Sequence, residues 1–240
     1  KESFSGGFAD KTITFGNNGD IPLAGNWTGN GVDYIGVYRP STATFYLTTS
    51  NDQSSGKVVY QFVFGNPNWL PIVGDWTGSH RDSIGAFDPA TNLFYLKYAL
   101  PAPSSSPVGA GYADATISLG NHGDIPIAGK WVASWGHAGI GVFRPGNATF
   151  YLSSTVVGGT SATPAGATVL NNPLHFGTTG DLPITGDWNG DGQTGIGVFR
   201  PSNNFFYLKD DPITPPGNLS YPAFEYGDAG DKPLAGYWGP

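Results

Sequence analysis

A segment running from Phe15 to Trp27 occurs five times along the chain, and this recurrence limits the fold more than any other feature. It reads Phe-Gly-Asn-Asn-Gly-Asp-Ile-Pro-Leu-Ala-Gly-Asn-Trp, with counterparts beginning at Phe64, Leu119, Phe176 and Tyr226. The recurring tryptophans, Trp27, Trp76, Trp131, Trp188 and Trp238, lie 49, 55, 57 and 50 residues apart. A second element, Ile35-Gly36-Val37-Tyr38-Arg39-Pro40, returns from Ile84, Ile140 and Ile196. A third, Phe-Tyr-Leu, occupies 45–47, 94–96, 150–152 and 206–208. A fourth, less regular apolar stretch leads into the next repeat: Val58 to Phe64, Ala113 to Leu119, Tyr221 to Tyr226.

These elements read as strands. They are rich in β-branched and aromatic residues and are separated by Gly, Pro, Asn and Asp turns. With 37 Gly, 20 Pro and only two Glu, Glu2 and Glu225, the chain is a poor helix former. Its 14% aromatic content argues against disorder. Four strands in about 50 residues is the size of a β-propeller blade. The elements do not alternate cleanly between apolar and polar, as expected where blades cover both faces of each sheet. The Gly of Ile-Gly-Val is expected to leave room for a large opposite residue such as the repeat Trp. The Gly before each Trp suits an inner strand near the axis.

The expected fold is therefore all-β, a propeller of four-stranded blades spanning 1–240. The repeats run 15–63, 64–118, 119–175 and 176–225, with a partial copy at 226–240 and an outer strand at about 8–15. Four full repeats with spare terminal strands favour a four-bladed ring with overlapping ends. A five-bladed ring would lack two middle strands in its last blade, and the third option is a piece of a longer propeller.

The quoted motifs resemble the FG-GAP/VCBS repeats of integrin-like β-propellers. The match runs from Phe15 to Trp238: Phe-Gly, Gly-Asp-x-Pro, Gly-Asp-Trp-Asn-Gly-Asp-Gly and Ile-Gly-Val-Phe-Arg-Pro. The resemblance implies a family of adhesion proteins, lectins and modules of secreted enzymes. It also implies calcium at the loop after the repeat Trp, where hard oxygen ligands alternate. Only the fourth repeat keeps most of that pattern, in Asp187, Asn189, Asp191 and Gln193. One Ca2+ is expected there and no other cofactor. The loops at Asn26, Asp75 and Lys130 are read as turns closed by their own hydrogen bonds.

A second constellation repeats as well. Asp20, Asp124 and Asp181 precede the first strand, and Arg39, Arg144 and Arg200 end the second. The second repeat has Trp69 and Asp88 at these places, so both members change together. They are read as structural Arg–carboxylate pairs.

The chain carries 11 basic and 18 acidic residues, with no basic cluster, which argues against nucleic acid as a partner. No apolar run is long enough for a membrane-spanning helix. Without Cys, disulfides and thiolate sites are excluded. No Glu pair suits a glycosidase, and the four His show no metal spacing. An unrepeated Asp dyad among Asp33, Asp82, Asp114, Asp210 and Asp211 is the remaining catalytic option.

Residues that break the repeat are the binding candidates. Trp69, Trp135 and His137 lie in loops, where an exposed ring can stack on a sugar or merely plug a gap. The expected function is a secreted or cell-surface, non-catalytic lectin with a glycan or cell-surface ligand. The alternatives are a structural or adhesive protein–protein module of a larger surface protein and, last, a glycan-active enzyme. Sequons at Asn26, Asn147 and Asn218 mark candidate glycosylation sites.

Overall fold

A computed structural model of the chain describes residues 6–52, 57–170, 173–213 and 219–238. The first sheet comprises β1 (Ile21–Gly25), β2 (Tyr34–Arg39), β3 (Thr44–Leu47) and β4 (Tyr60–Val63). The second contains β5 (Leu70–Gly74), β6 (Ser83–Asp88) and β7 (Leu93–Leu96). After a two-residue strand β8 (Val108–Gly109), β9 (Ala115–Ser118) completes it. The third holds β10 (Ile125–Gly129), β11 (Gly139–Arg144) and β12 (Thr149–Ser153). A short β13 (Ala165–Gly166) then precedes its last strand, β14 (Leu174–His175). The fourth holds β15 (Leu182–Gly186), β16 (Gly195–Arg200), β17 (Phe205–Lys209) and β18 (Phe224–Glu225).

The four sheets stand round an axis in the arrangement of a four-bladed β-propeller. Each is an antiparallel meander whose first strand lies innermost. Pro22, Pro71, Pro126 and Pro183 all fall in these inner strands. An inner strand is a sheet edge, so a residue without an N–H costs no ladder bond there.

The glycine roles differ from the sequence expectation. A Cβ at Gly25 would lie 2.6 Å from the Trp27 ring, which folds back over its own strand. A Cβ at Gly36 would instead meet Leu47 of β3 at 2.6 Å, with Trp27 at 3.6 Å. Room for the Trp thus comes from the glycine before it. The glycine of Ile-Gly-Val accommodates the Leu of Phe-Tyr-Leu, joined at Gly85, Gly141 and Gly197 by an Ile of the first strand. The Trp76 and Trp131 indoles donate to the Ile84 and Ile140 carbonyls at 3.1 Å, clamping each inner hairpin.

Every seam between consecutive sheets is built alike. One face of a blade presents its Trp, two Phe and a Leu. The next blade covers it with the Ile and Val or Ala of its second strand and the Tyr of its third. Phe45, Phe94 and Phe150 are thereby at most 1% exposed. Burying one such ring contributes about 2–3 kcal/mol.

The long loops at 99–113 and 153–167 are more than surface excursions. Each adds a parallel two-residue strand to the outer edge of the preceding sheet. β8 pairs with β4, and β13 with β9. These additions cap edges that would otherwise be open to pairing.

The partial fifth repeat follows the path of an inner strand without strand pairing of its own. The Asp33 amide donates to the Tyr237 carbonyl at 2.6 Å, and the Tyr237 amide donates to the Asp33 carboxylate at 2.7 Å. Residues 233–238 line the central cavity with the four inner strands. The outer strand expected at about 8–15 is not formed. Among the described residues, these positions form no strand and are largely exposed.

Candidate functional site

The inner strands enclose a cavity of about 980 Å³ along the axis. Inner-strand residues line its walls, and the loops joining first to second strands contribute Asp33, Asp75, His80, Asp82 and His137. Asp187 lines it as well, and against these four carboxylates stands Lys130, so the charged lining is predominantly acidic.

The position of these groups follows from a repeated latch between neighbouring blades. The Asn26 amide donates to the Asp82 carboxylate at 2.8 Å, and the Asp82 amide donates to the Asn26 carbonyl at 3.0 Å. Lys130 and Thr194 repeat this exchange, with the Thr hydroxyl as acceptor at 2.9 Å. Asp75 and Ala138 keep only the backbone half, at 2.7 Å. Asp33 and Tyr237 form the fourth copy. Asp33 and Asp82, two candidates for an unrepeated catalytic pair, therefore occupy a recurring structural position. Thr194 does the same work in the fourth blade.

Burial raises the Asp33 carboxyl above the usual range, against the opposing hydrogen bond from the Tyr237 amide. Burial also pushes Asp82 up to about 6. The Asn26 amide opposes that shift, and the charges of Asp33 and Asp75 add to it. The other candidates lie elsewhere. Asp114 pairs with Lys97 at 3.1 Å and accepts the Tyr98 amide at 2.7 Å. Asp210 and Asp211 do not line the cavity.

The repeated struts form as expected. Arg39, Arg144 and Arg200 each grip Asp20, Asp124 and Asp181 through two nitrogens at 2.8–2.9 Å. A third member was not anticipated. Each guanidinium lies 4.4–4.6 Å from the ring centroid of Tyr46, Tyr151 or Tyr207. Each also donates to that tyrosine's hydroxyl. The signal was present in the recurring Tyr of Phe-Tyr-Leu, which lies seven residues after the Arg. Burial alone would raise the Asp20 carboxyl. Hydrogen bonds from Arg39 and the Asn17 amide, with the Arg39 charge, outweigh it and hold Asp20 below its ordinary value.

The second blade explains Trp69. Its ring stacks on Tyr95, the counterpart of those tyrosines, with centroids 4.5 Å apart and planes at 22°. It thus replaces both charged partners in packing at the seam between the first and second blades. Asp88 instead accepts the Ala90 amide at 3.0 Å and the Thr91 hydroxyl at 2.7 Å, closing its own turn. Of the two repeat-breaking tryptophans, Trp69 is committed to the fold.

Trp135 and His137 are brought together. Their rings lie nearly parallel, 6.0 Å apart, on the loop after Trp131. Both are half-buried, and Trp135 packs at the seam between the third and fourth blades. His137 lines the cavity and shares a 2.7 Å hydrogen bond through Nδ1 with the Ala138 carbonyl.

The fourth loop has the oxygen donors suited to calcium, arranged as a self-closed turn. Asp187 accepts the Gly190 amide at 2.8 Å, the Asp191 amide at 3.1 Å and the Gly192 amide at 2.8 Å. Asn189 donates to Asp191 at 3.0 Å, and Gln193 turns its amide nitrogen to the Trp131 carbonyl at 2.9 Å. Asp75 closes the second loop similarly, accepting the Ser79 amide at 2.9 Å and the His80 amide at 2.6 Å. That loop has Ser79 where the fourth has Asp191, so this closure does not require a cation. Among the described residues, no three His, Asp or Glu stand close enough to form a metal cluster. No helix among them is long and apolar enough to cross a membrane.

Of the sequons, Asn147 lies exposed in a turn. Asn26 is half-buried and donates its side-chain nitrogen to the His80 carbonyl at 3.0 Å. Asn218 lies outside the described residues. Comparison with protein-family models and with curated proteins returned no match to this chain.

Proposed function

We propose that this chain is a non-catalytic carbohydrate-binding propeller of the FG-GAP/VCBS type, acting outside the cell. Its sugar contacts centre on Trp135 and His137 beside the central cavity. The observation that carries this reading is the contrast between the two repeat-breaking tryptophans. Trp69 stacks on a strand tyrosine, whereas Trp135 belongs to a loop that departs from the repeat and lines the cavity through Gly136, His137 and Ala138.

An indole face offers apolar area to the C–H face of a pyranose at little entropic cost. Asp75, His80 and His137 near the cavity supply acceptors and donors for hydroxyls, the mixture of apolar wall and few polar groups that suits a small neutral ligand. Low overall charge, at 12% charged residues, is compatible with neutral polyols. Recurrence of Asp33 and Asp82 in the latch favours architecture over catalysis for that pair.

Calcium at the fourth loop would add order to a turn already closed without it. A glycan-array screen of the purified chain tests the reading. We expect binding to a defined sugar set, retained in EDTA and lost in Trp135→Ala. Absence of binding in calcium and in EDTA would leave protein adhesion as the better account.

A further inference from the structure

In each of the three seams between consecutive blades, two backbone groups of the earlier blade face the later one. They are the amide of the residue before the repeat Trp and the carbonyl of that Trp. In the first seam the Asp82 carboxylate accepts the Asn26 amide at 2.8 Å, and Arg81 Nε donates to the Trp27 carbonyl. In the third the Thr194 hydroxyl accepts the Lys130 amide at 2.9 Å, and the Gln193 side-chain amide donates to the Trp131 carbonyl at 2.9 Å. Two consecutive side chains of the later blade thus supply one acceptor and one donor.

The second seam has the same backbone pair without these side chains. Ala138 stands in the place of Asp82 and Thr194, and His137 in that of Arg81 and Gln193. His137 instead turns its Nδ1 to the Ala138 carbonyl at 2.7 Å. Among the described residues, neither the Asp75 amide nor the Trp76 carbonyl has a hydrogen-bond partner. Backbone groups at a buried residue such as Trp76 are normally matched. The loop opposite is also unusual: Ile140 lies nine residues after Trp131, whereas Ile84 and Ile196 lie eight after their Trp. The two loops touch, since a Cβ at Gly78 would clash with the Gly136 carbonyl oxygen. Asp75, Gly78, His137 and Ala138 all line the cavity, so this seam opens onto it. Because a carbonyl only accepts, His137 Nδ1 carries the proton and Nε2 of the neutral ring is a further acceptor.

We propose that the second seam is the sugar subsite and that it reads two adjacent hydroxyls of a pyranose. One hydroxyl accepts the Asp75 amide, as the Thr194 hydroxyl accepts that of Lys130. Its neighbour donates to the Trp76 carbonyl, as Gln193 donates to that of Trp131. His137 joins this subsite to Trp135, whose ring lies 6.0 Å away and nearly parallel. A sugar lacking either hydroxyl leaves a backbone group unmatched, which discriminates strongly against it. The inference rests on the carbohydrate reading and narrows it to a ligand class and a place.

Ala138→Thr gives the second seam the hydroxyl that the third already has. Gly74 lies opposite Ala138 as Gly129 lies opposite Thr194, so the added atoms meet a glycine. The new hydroxyl takes the Asp75 amide in the sugar's place. The probes are the methyl α-glycosides of glucose, galactose and mannose with their monodeoxy counterparts, titrated by saturation-transfer NMR beside a glycan array. We expect at least one parent glycoside to bind, and removal of either of two adjacent hydroxyls to weaken it at least tenfold. Ala138→Thr should weaken it as much while raising the urea midpoint. Thr194→Ala should lower the midpoint and leave binding unchanged. Undiminished binding by Ala138→Thr, or a lower midpoint in that variant, overturns this inference and leaves the carbohydrate reading standing. Array binding without binding of any of these glycosides does the same. A folded wild-type protein that binds no glycan on the array overturns both.

Discussion

Replacing Arg144 by aspartate and Asp124 by tryptophan would give the third blade the pair found in the second, where Asp88 and Trp69 stand at these places. Arg144→Asp alone removes two hydrogen bonds of 2.9 Å and a guanidinium 4.4 Å from the Tyr151 centroid. It also leaves the Asp124 carboxylate, whose side chain is 1% exposed, facing a second acid. Breaking a fully buried pair in this way costs about 3–5 kcal/mol. The Arg144 side chain is 28% exposed, so water screens part of the loss and we expect the lower end, about 3 kcal/mol. Asp124→Trp alone should cost a similar amount, because it crowds the site and strands the guanidinium. The double variant lets the new indole stack on Tyr151 as Trp69 does on Tyr95, and the new carboxylate close its turn. It should be more stable than either single variant, with a coupling of about 2 kcal/mol or more. Urea unfolding at neutral pH, followed by tryptophan fluorescence, measures all four proteins. Additive losses in the double variant would refute the claim that the two positions form one unit.

Three further perturbations probe other parts of the structure. Asp82→Asn keeps an acceptor for the Asn26 amide and removes a carboxyl held near 6. Because the folded value lies above the unfolded one, Asp82 favours folding below about pH 4 and loses that contribution as pH rises towards 6. The variant should gain about 1–3 kcal/mol at pH 7 and lose that part of the decline between pH 4 and 6 in urea titrations at stepped pH. Asp20 has the opposite sign: its lowered value makes the first strut a source of stability above about pH 4 that is lost in stronger acid. Arg39→Gln should therefore flatten the acid limb of a pH-resolved unfolding curve. Trp69→Ala should cost about 2–4 kcal/mol of stability, read from urea midpoints, while leaving glycan binding intact.

The repeated chemistry was legible in the sequence, and the reason is physical. A contact needed in every blade is written several times, so its partners can be identified where both change. The exchange of Asp and Arg for Trp69 and Asp88 revealed the strut in this way, and the structure shows its other copies at 2.8–2.9 Å. The latch between blades was hidden because its backbone half is the same for Asp82, Thr194 and Ala138. The glycine roles were exchanged because the sequence does not show that each Trp folds back over its own strand. β8 and β13 left no periodic signal, each being only two residues of loop. Trp69 and Trp135 looked alike in sequence. The stacking partner, strand-borne Tyr95 in one case and loop-borne His137 in the other, distinguishes them.

The most direct measurement is a glycan-array screen of the wild-type chain beside Trp135→Ala, each in calcium and in EDTA, with unfolding midpoints confirming that both are folded. The expected result is a defined sugar set bound by the wild type in both conditions and lost by at least tenfold in Trp135→Ala. A folded wild-type protein that binds no glycan, or a Trp135→Ala variant that binds as well as wild type, would contradict the proposed site and its function.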